Sequence, residues 1–354
     1  MTETRSFREV GQGGPSRPPL GEELLPPVEQ PSARFIVQLF VVPALIVLAI
    51  VGVWLSFSWL VRSTTIGPEK LIEGVESGPS VARWQRASEL ADMLHNKRYA
   101  SIKRDHDAAS HLARVLDREI DDSKDGQDGQ QAATLRYFLA RALGEFEVPE
   151  GTDTLLRAAE TKRSPSDELV RHGAIEALAT RAYDLQQLDP PEHLENAEAG
   201  PTLIRLSGDT DPTIRSSATY ALGQMGTPEA IKRLEALVND PDTDTRYNAA
   251  IALAHHGNTK SAETLAEMLD VAELSKPERN GEEEKAGNKA AVVVASALDA
   301  SHALARQNPD ADLSVVTKAV EQFAKTDPHQ LEAANIPSRL VSDADHLLHL
   351  LKSK

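Results

Sequence analysis

A short phrase recurs along the chain and constrains its fold more than any other feature. The phrase is a basic residue, small residues three and six positions later, and Leu at the seventh position. The best copies begin at Arg171, Arg215 and Arg246, and a close copy begins at Arg136. The leucines that end these four copies and two weaker ones are Leu90, Leu143, Leu178, Leu222, Leu253 and Leu298. Successive intervals of 53, 35, 44, 31 and 45 residues indicate an irregular repeat array.

Each copy predicts an α-helix, because offsets of three and seven place the small residue and the Leu on one face. Turns rich in Asp, Ser and Pro stand before the copies, at Ser164, Asp209 and Asp240. Such residues accept hydrogen bonds from the free amides that begin a helix. A second amphipathic stretch follows several copies, as at 227–238. The pattern predicts stacked pairs of helices.

Two of these segments, DTDPTIRSSATYALG at 209–223 and DPDTDTRYNAAIALA at 240–254, resemble the HEAT-like family. The resemblance is to its short form, named after phycobilisome lyase subunits, with the pattern Asp-Pro, Val-Arg, Ala-Ala and Ala-Leu-Gly. It is strong over 165–270 and extends over 77–305. The resemblance implies an α-solenoid with a role in protein contact, and it does not imply lyase activity.

Composition agrees with an all-α chain. Only 4% of the residues are aromatic, which disfavours a β-sandwich or a barrel. The absence of Cys excludes disulfides and thiolate chemistry. The net charge is −16, and residues 62–354 hold 34 basic and 49 acidic residues. A field of this sign opposes binding to nucleic acid.

An uncharged stretch of 27 residues, 35–61, lies between Arg34 and Arg62. A helix of that length rises about 40 Å, more than the roughly 30 Å of a bilayer core. It is also much longer than the apolar part of a cleaved secretory signal. The sequence therefore predicts a single transmembrane helix that contacts the lipid bilayer through residues 35–61.

The side of the membrane is less clearly encoded. Arg17 and Arg34 precede the span and Arg62 and Lys70 follow it, so the count of basic residues is balanced. A short tail that carries Arg before a first span usually stays in the cytoplasm, which favours an extracytoplasmic soluble part. The tail, 1–34, is rich in Pro and Gly and is predicted to be disordered.

The predicted organisation has four parts: a tail (1–34), a transmembrane helix (35–61), a juxtamembrane linker (62–76) and a HEAT-like α-solenoid of about five to six helical pairs (77–354). The last helix, from Pro337, is predicted to cap the array. Polar insertions at 121–131, 189–193 and 276–288 are predicted to be loops.

Two segments carry residues of the kind that bind metal ions. Asp121–Asp128 resembles the start of a calcium loop, but Ala132 stands where the bidentate carboxylate is needed. His346 and His349 share a helical face but lack a third ligand. Iron-binding HEAT-like hydroxylases use paired His-Glu dipeptides, and this chain contains none. We therefore predict no catalytic residue, no cofactor and no metal site.

The repeated residues Arg136, Arg171, Arg215 and Arg246 admit two interpretations, an anion-binding ladder and structural pairing with turn carboxylates. The HEAT-like resemblance favours structural pairing. The sequence predicts a membrane-anchored, non-enzymatic scaffold for a protein partner. Two alternatives stay open at this point: a solenoid that holds a metal or small molecule through His and Asp residues, and a passive spacer.

Overall fold

The computed structural model describes residues 33–63, 67–78, 80–122, 127–275 and 283–353, and within these ranges it is helical and contains no β-strand. The predicted all-α solenoid is confirmed. In chain order, the α-helices are α1 (Ala33–Ser63), α2 (Pro68–Ser77), α3 (Ser80–His95), α4 (Ala100–Lys103), α5 (His106–Asp121), α6 (Gln127–Gly144), α7 (Thr152–Glu160), α8 (Asp167–Gln186), α9 (Ala199–Leu206), α10 (Pro212–Met225), α11 (Pro228–Leu237), α12 (Thr243–His255), α13 (Ala262–Met268), α14 (Val271–Leu274), α15 (Glu283–Gln307), α16 (Ser314–Ala324), α17 (Pro328–Ala333) and α18 (Arg339–Lys352).

Helix α1 belongs to a unit of its own, Met1–Thr65, which is separate from the unit Ile66–Lys354. Its stretch Val37–Ser56 is 20 residues long, apolar and completely unburied. That length rises about 30 Å, so α1 is long and apolar enough to cross a bilayer. The disordered tail is predicted over 1–34: Ala33 and Arg34 belong to α1, and residues 1–32 lie outside the described residues.

The second unit consists of two rows of helices. We call row A the helices α2, α5, α7, α9, α11, α13 and α16, and row B the helices α3, α6, α8, α10, α12, α15 and α18. Each row B helix packs against the next helix of its row and against the row A helix that precedes it. The described residues therefore form seven pairs, more than the five to six predicted.

Row B helices approach closely because small residues lie at their contacts. A Cβ on Gly144 of α6 would lie 2.6 Å from the Ala177 Cα of α8, and a Cβ on Gly223 of α10 would lie 2.6 Å from the Ala252 Cβ of α12. The six repeat leucines, from Leu90 to Leu298, are all buried between the rows. Ala177 and Ala252, each six positions into its copy of the phrase, thus meet the Gly that follows the Leu of the preceding copy, and these contacts set the spacing of row B. The Leu of each copy fills the core.

Helix α12 divides the core into two clusters. One runs from Leu71 to Leu253, and the other from Tyr247 to Leu347. Helix α12 contributes to both, because small and apolar residues lie on both of its faces.

Three predicted boundaries differ from the structure. The linker predicted over 62–76 contains helix α2, whose side chains Leu71, Ile72 and Val75 are buried. The predicted linker therefore includes the row A partner of α3. The loop predicted over 121–131 is helical from Gln127, and the loop predicted over 276–288 is helical from Glu283; residues 123–126 and 276–282 lie outside the described residues.

Capping also differs in one repeat. Asp211 and Asp242 accept hydrogen bonds from the amides of Thr213 (2.8 Å) and Thr245 (2.9 Å), as capping predicts. Ser166, which precedes α8, makes no such bond. Asp167 instead accepts hydrogen bonds from the amides of Arg163 and Ser164, which folds the turn onto the start of α8.

Candidate functional site

The four repeat arginines each donate to a carboxylate of the following pair. The contacts are Arg136 to Asp167 (2.8 Å), Arg171 to Asp209 (2.5 Å), Arg215 to Asp240 (3.1 Å) and Arg246 to Glu267 (2.6 Å). Asp167, Asp209 and Asp240 lie in or beside the turns that begin the next row B helix, and Glu267 lies on α13. We call this set of contacts the row B ladder.

Burial decreases along the row B ladder. The side chains of Arg136 and Asp167 are 1% and 2% exposed, whereas those of Arg246 and Glu267 are 20% and 35% exposed. Water screens an exposed ion pair, so removing one partner of an exposed pair costs little free energy of unfolding. The pair of Arg136 and Asp167 is the most buried of the four, so removing one of its partners should cost the most.

The acidic partners keep their charge despite burial. Burial alone would raise the pKa of Asp209, but the Asp211 amide and the Arg171 guanidinium outweigh it and lower the pKa to about 2. At Asp167, burial is likewise outweighed by the Arg163 amide and by Arg136, so the pKa of Asp167 is also lowered. Both groups are carboxylates at neutral pH.

A second ladder joins row A, and the sequence reading missed it. Its ion pairs are Arg118 with Glu76 (3.2 Å), Arg157 with Asp117 (2.6 Å), Arg205 with Glu160 (2.6 Å) and Lys260 with Glu235 (2.7 Å). Arg233 donates to the Ser207 hydroxyl (2.7 Å) and completes the series between α9 and α11. These residues stand in no common phrase, so only the pairing of helices shows their relation. We call this set the row A ladder.

Arg181 is a buried cation that the sequence reading also missed. Its guanidinium donates to the Thr152 hydroxyl (2.8 Å) and to the Leu143 carbonyl (2.5 Å). Burial lowers the pKa of Arg181 to about 10, and the charge of Glu150 opposes that change. Arg181 joins α6, α7 and α8 at one point of the core.

The described residues of the two candidate metal segments do not come together as a metal site. His346 and His349 are exposed on α18, and Asp121 pairs with Arg157 (3.1 Å). Most of the calcium-like loop, 123–126, lies outside the described residues. Across the ranges that the structure describes, no three His, Asp or Glu side chains come together as a metal site. His256 instead donates to the Gly223 carbonyl (2.9 Å), joining α12 to α10.

Large apolar side chains are exposed mainly on row B. In the described part of 66–354 they are Leu169, Tyr183, Tyr220, Val292 and Val315. Only Val315, on α16, belongs to row A. The exposed face of α8 carries Leu169, His172, Glu176, Thr180 and Tyr183 at helical spacing, and Tyr220 of α10 lies beside it.

Comparison with protein families identifies the repeat. A family of HEAT repeats matches residues 180–254 and, in a second overlapping alignment, residues 200–276. Residues 180–276 match HEAT repeats. The predicted HEAT-like resemblance is therefore confirmed, and no curated protein sequence matches this chain significantly.

Solved structures of helical-repeat proteins are similar to the HEAT array. An engineered protein shares 19% identity, covers 81% of this chain and 96% of its own, and has a TM-score of 0.39. An archaeal HEAT-like repeats protein from Thermococcus onnurineus NA1 shares 16% identity, with coverage of 80% and 99% and a TM-score of 0.41. Human deoxyhypusine hydroxylase in complex with glycerol shares 17% identity, with coverage of 81% and 96% and a TM-score of 0.29.

The matched residues include part of the row B ladder and part of the exposed apolar surface of row B. Arg215, Arg246, Tyr183 and Tyr220 lie inside 180–276, whereas Arg136 and Arg171 lie before it. All four arginines nevertheless donate to a carboxylate of the next helix pair, whether they lie inside the matched residues or before them. A HEAT array of this kind fits a role in protein interaction.

Proposed function

We propose that this chain is a single-pass membrane protein whose HEAT array is a docking surface for a protein partner. The observation that carries the proposal is the combination, in one chain, of a wholly uncovered apolar helix and an array of HEAT repeats. The helix supplies a reason to be at the membrane. The array supplies an extended surface of the kind that repeat proteins use to bind other proteins.

The uncovered surface of α1 supports anchoring. Its large apolar side chains between Val37 and Leu55 are 43–70% exposed, and none is buried against protein. Each square ångström of such surface costs about 25 cal/mol in water, so a continuous apolar helix of this length favours lipid. Pro43 lies within the helix, where a membrane span tolerates it.

The two ladders support a rigid scaffold. Ion pairs that are mostly buried in row B and exposed in row A connect neighbouring helix pairs, so that these repeats resist sliding. We assign Arg136, Arg171, Arg215 and Arg246 a structural role in this connection, and α18 the role of a C-terminal cap, because it packs on α15 and α16 at the end of the array. A rigid array presents its side chains with little loss of entropy on binding.

Anchoring can be tested on the full chain by extraction of membranes at alkaline pH. We expect the wild-type chain to stay in the membrane pellet. The double variant Val47→Arg and Leu48→Arg should move to the soluble fraction, because charges at the centre of a span oppose insertion. The matched control, Val47→Leu and Leu48→Val, should remain in the pellet. A wild-type chain that is extracted completely would contradict anchoring.

Sidedness can be tested with single cysteines, since the chain has none of its own. We place one at the exposed Glu229 on α11 and another at Ser16, and treat intact cells with a thiol reagent that does not cross membranes. An extracytoplasmic array predicts labelling of Glu229→Cys and protection of Ser16→Cys until lysis. The reverse pattern would place the array in the cytoplasm and leave the scaffold proposal intact.

The partner role can be tested by cross-linking in intact membranes, followed by purification of the full chain and mass spectrometry. We expect the same protein to be recovered in repeated preparations, with cross-links on the array. Recovery of no reproducible partner would contradict the scaffold role and favour a passive spacer.

A further inference from the structure

We propose that the exposed face of α8 and α10, built on Leu169, Tyr183 and Tyr220 and edged by Glu168 and Glu176, binds a segment of polypeptide that carries Arg or Lys beside an apolar side chain. We call this face the tyrosine face. The inference rests on the proposed function, because it names the chemistry of the partner that the array would dock.

The first support is the uneven distribution of exposed apolar groups. Tyr183 and Tyr220 are 49% and 47% exposed, and neither makes a hydrogen bond within the described residues through its hydroxyl. On row A, by contrast, the exposed faces carry the paired ions of the row A ladder. An apolar and aromatic patch that the fold leaves uncovered is typical of a binding surface.

The second support is that Tyr183 and Tyr220 each lie about one helical turn before Gln186 and Gln224, the residues that join α8 to α10. Burial, the nearby Tyr183 hydroxyl and the charge of Glu176 together raise the pKa of Tyr220, so these three groups share one environment. The side chain of Gln186 donates to the Gln224 carbonyl and fixes the register of α8 and α10 at this point. Two rings at the same level of neighbouring helices can contact side chains of one bound segment, such as a guanidinium or an apolar group.

The third support is charge. Glu168 is exposed, and the side chain of Glu176 is 46% exposed and lies 3.4 Å from the His172 ring. The basic residues of α8, Arg171 and Arg181, are buried in contacts elsewhere, and the single basic residue of α10, Arg215, pairs with Asp240. On the exposed faces of α8 and α10 themselves, the tyrosines therefore lie with Glu168 and Glu176 and with no unpaired Arg or Lys. Tyrosine rings beside carboxylates favour a cationic segment and disfavour an acidic one.

The test uses the full chain in lipid nanodiscs and a phage library of random 12-residue peptides. We expect the selected peptides to carry net positive charge and at least one apolar residue. Tyr183→Ser and Tyr220→Ser should each weaken binding of a selected peptide about tenfold, the factor that corresponds to loss of one well-packed anchor. Glu176→Lys should also weaken it, and the loss should shrink at high salt.

Row A supplies matched controls: Val315→Ser removes an exposed apolar side chain from α16, and Glu229→Lys reverses an exposed charge on α11. Both should leave binding within about twofold of wild type, as expected of sites outside the interface. Circular dichroism and melting temperature of each variant separate lost binding from lost fold.

Three outcomes would overturn the inference: no peptide enriched above empty nanodiscs, enrichment of acidic or uncharged peptides, or affinity that the tyrosine and Glu176 variants leave unchanged. Failure of the proposed function is a different result, because it appears as loss of anchoring or of a reproducible cross-linked partner. Cross-links that map to row A would contradict the tyrosine face and leave the scaffold standing.

Discussion

The two rows of the HEAT array use charge differently. Row B places its arginines inside the molecule, where Arg136 meets Asp167 with almost no exposure, while row A places its ion pairs at the surface, where Arg157 and Asp117 are 41% and 40% exposed. Row B then presents tyrosines outward, and row A presents charge. Buried ion pairs therefore contribute to the cohesion of row B, whereas the ion pairs of row A face the solvent.

Small residues explain why the rows differ. Row B helices approach closely through Gly and Ala, which leaves little room for long side chains between them. A long side chain at the edge of such a contact is therefore either buried in an ion pair or directed away from the neighbouring helix. Row A helices are shorter and pack less closely on one another, so Arg and Lys span the gaps between them.

The largest expected effect comes from removing a buried ion pair of row B. Arg136→Ala leaves the buried Asp167 carboxylate without its cationic partner, with only the Arg163 and Ser164 amides and the Ser164 hydroxyl donating to it. We expect a loss of about 3–5 kcal/mol in the free energy of unfolding. The measurement is urea denaturation of the full chain in detergent. Arg157→Ala in row A is the matched control and should cost no more than about 1 kcal/mol. Equal losses in the two variants would contradict the difference between the rows.

A glycine substitution should test the close approach of row B. A Cβ at Gly144 would lie 2.6 Å from the Ala177 Cα and 2.9 Å from the Ala177 carbonyl oxygen, so α6 and α8 must separate. We expect Gly144→Ala to reduce the free energy of unfolding by about 1–3 kcal/mol, the usual cost of overpacking. Gly208→Ala, whose Cβ would meet its nearest neighbour at 3.4 Å, is the control and should be nearly neutral.

The row B ladder should also respond to acid. The pKa of Asp209 is lowered to about 2 in the folded chain, below its ordinary value of 3.8, so the unfolded chain takes up the proton first as the pH falls. The stabilisation, about 2 kcal/mol, is therefore complete above pH 4 and is lost as the pH falls toward 2. We expect the stability difference between wild type and Asp209→Asn to shrink across this window. A difference that is constant from pH 6 to pH 2.5 would show that the carboxylate does not act through its charge.

The smallest expected effect concerns salt and row A. Each exposed pair of the row A ladder contributes about 0.2–1 kcal/mol, and 1 M salt screens it because the Debye length falls to about 3 Å. We expect the cost of Arg205→Ala to disappear in 1 M NaCl, whereas the cost of Arg136→Ala persists. Urea denaturation of both variants at low and high salt measures the contrast. A salt-sensitive Arg136→Ala would mean that water reaches the buried pair.

Sequence reasoning reached the helices and the repeat because they follow from local periodicity, and the apolar span because an uncharged stretch of 27 residues is evident from its length. It missed helix α2, since Leu71, Ile72 and Val75 form too short a stripe to stand out beside the span before it. It also missed Arg181 and the whole row A ladder. Glu160 and Arg205 are 45 residues apart, and no pattern in the sequence relates them until α7 and α9 are known to be neighbours.

The sequence by itself determined that the chain is helical and that it repeats, because side-chain spacing at three, four and seven positions is a property of each helix alone. It also determined that one segment suits a bilayer, because the length of an uncharged stretch does not depend on its neighbours in the fold. The tertiary structure decided which charges are buried, which carboxylate each arginine meets and which tyrosines stay uncovered. Partners in these contacts lie 21–38 residues apart for the row B ladder, so their meeting depends on how one helix pair stacks on the next.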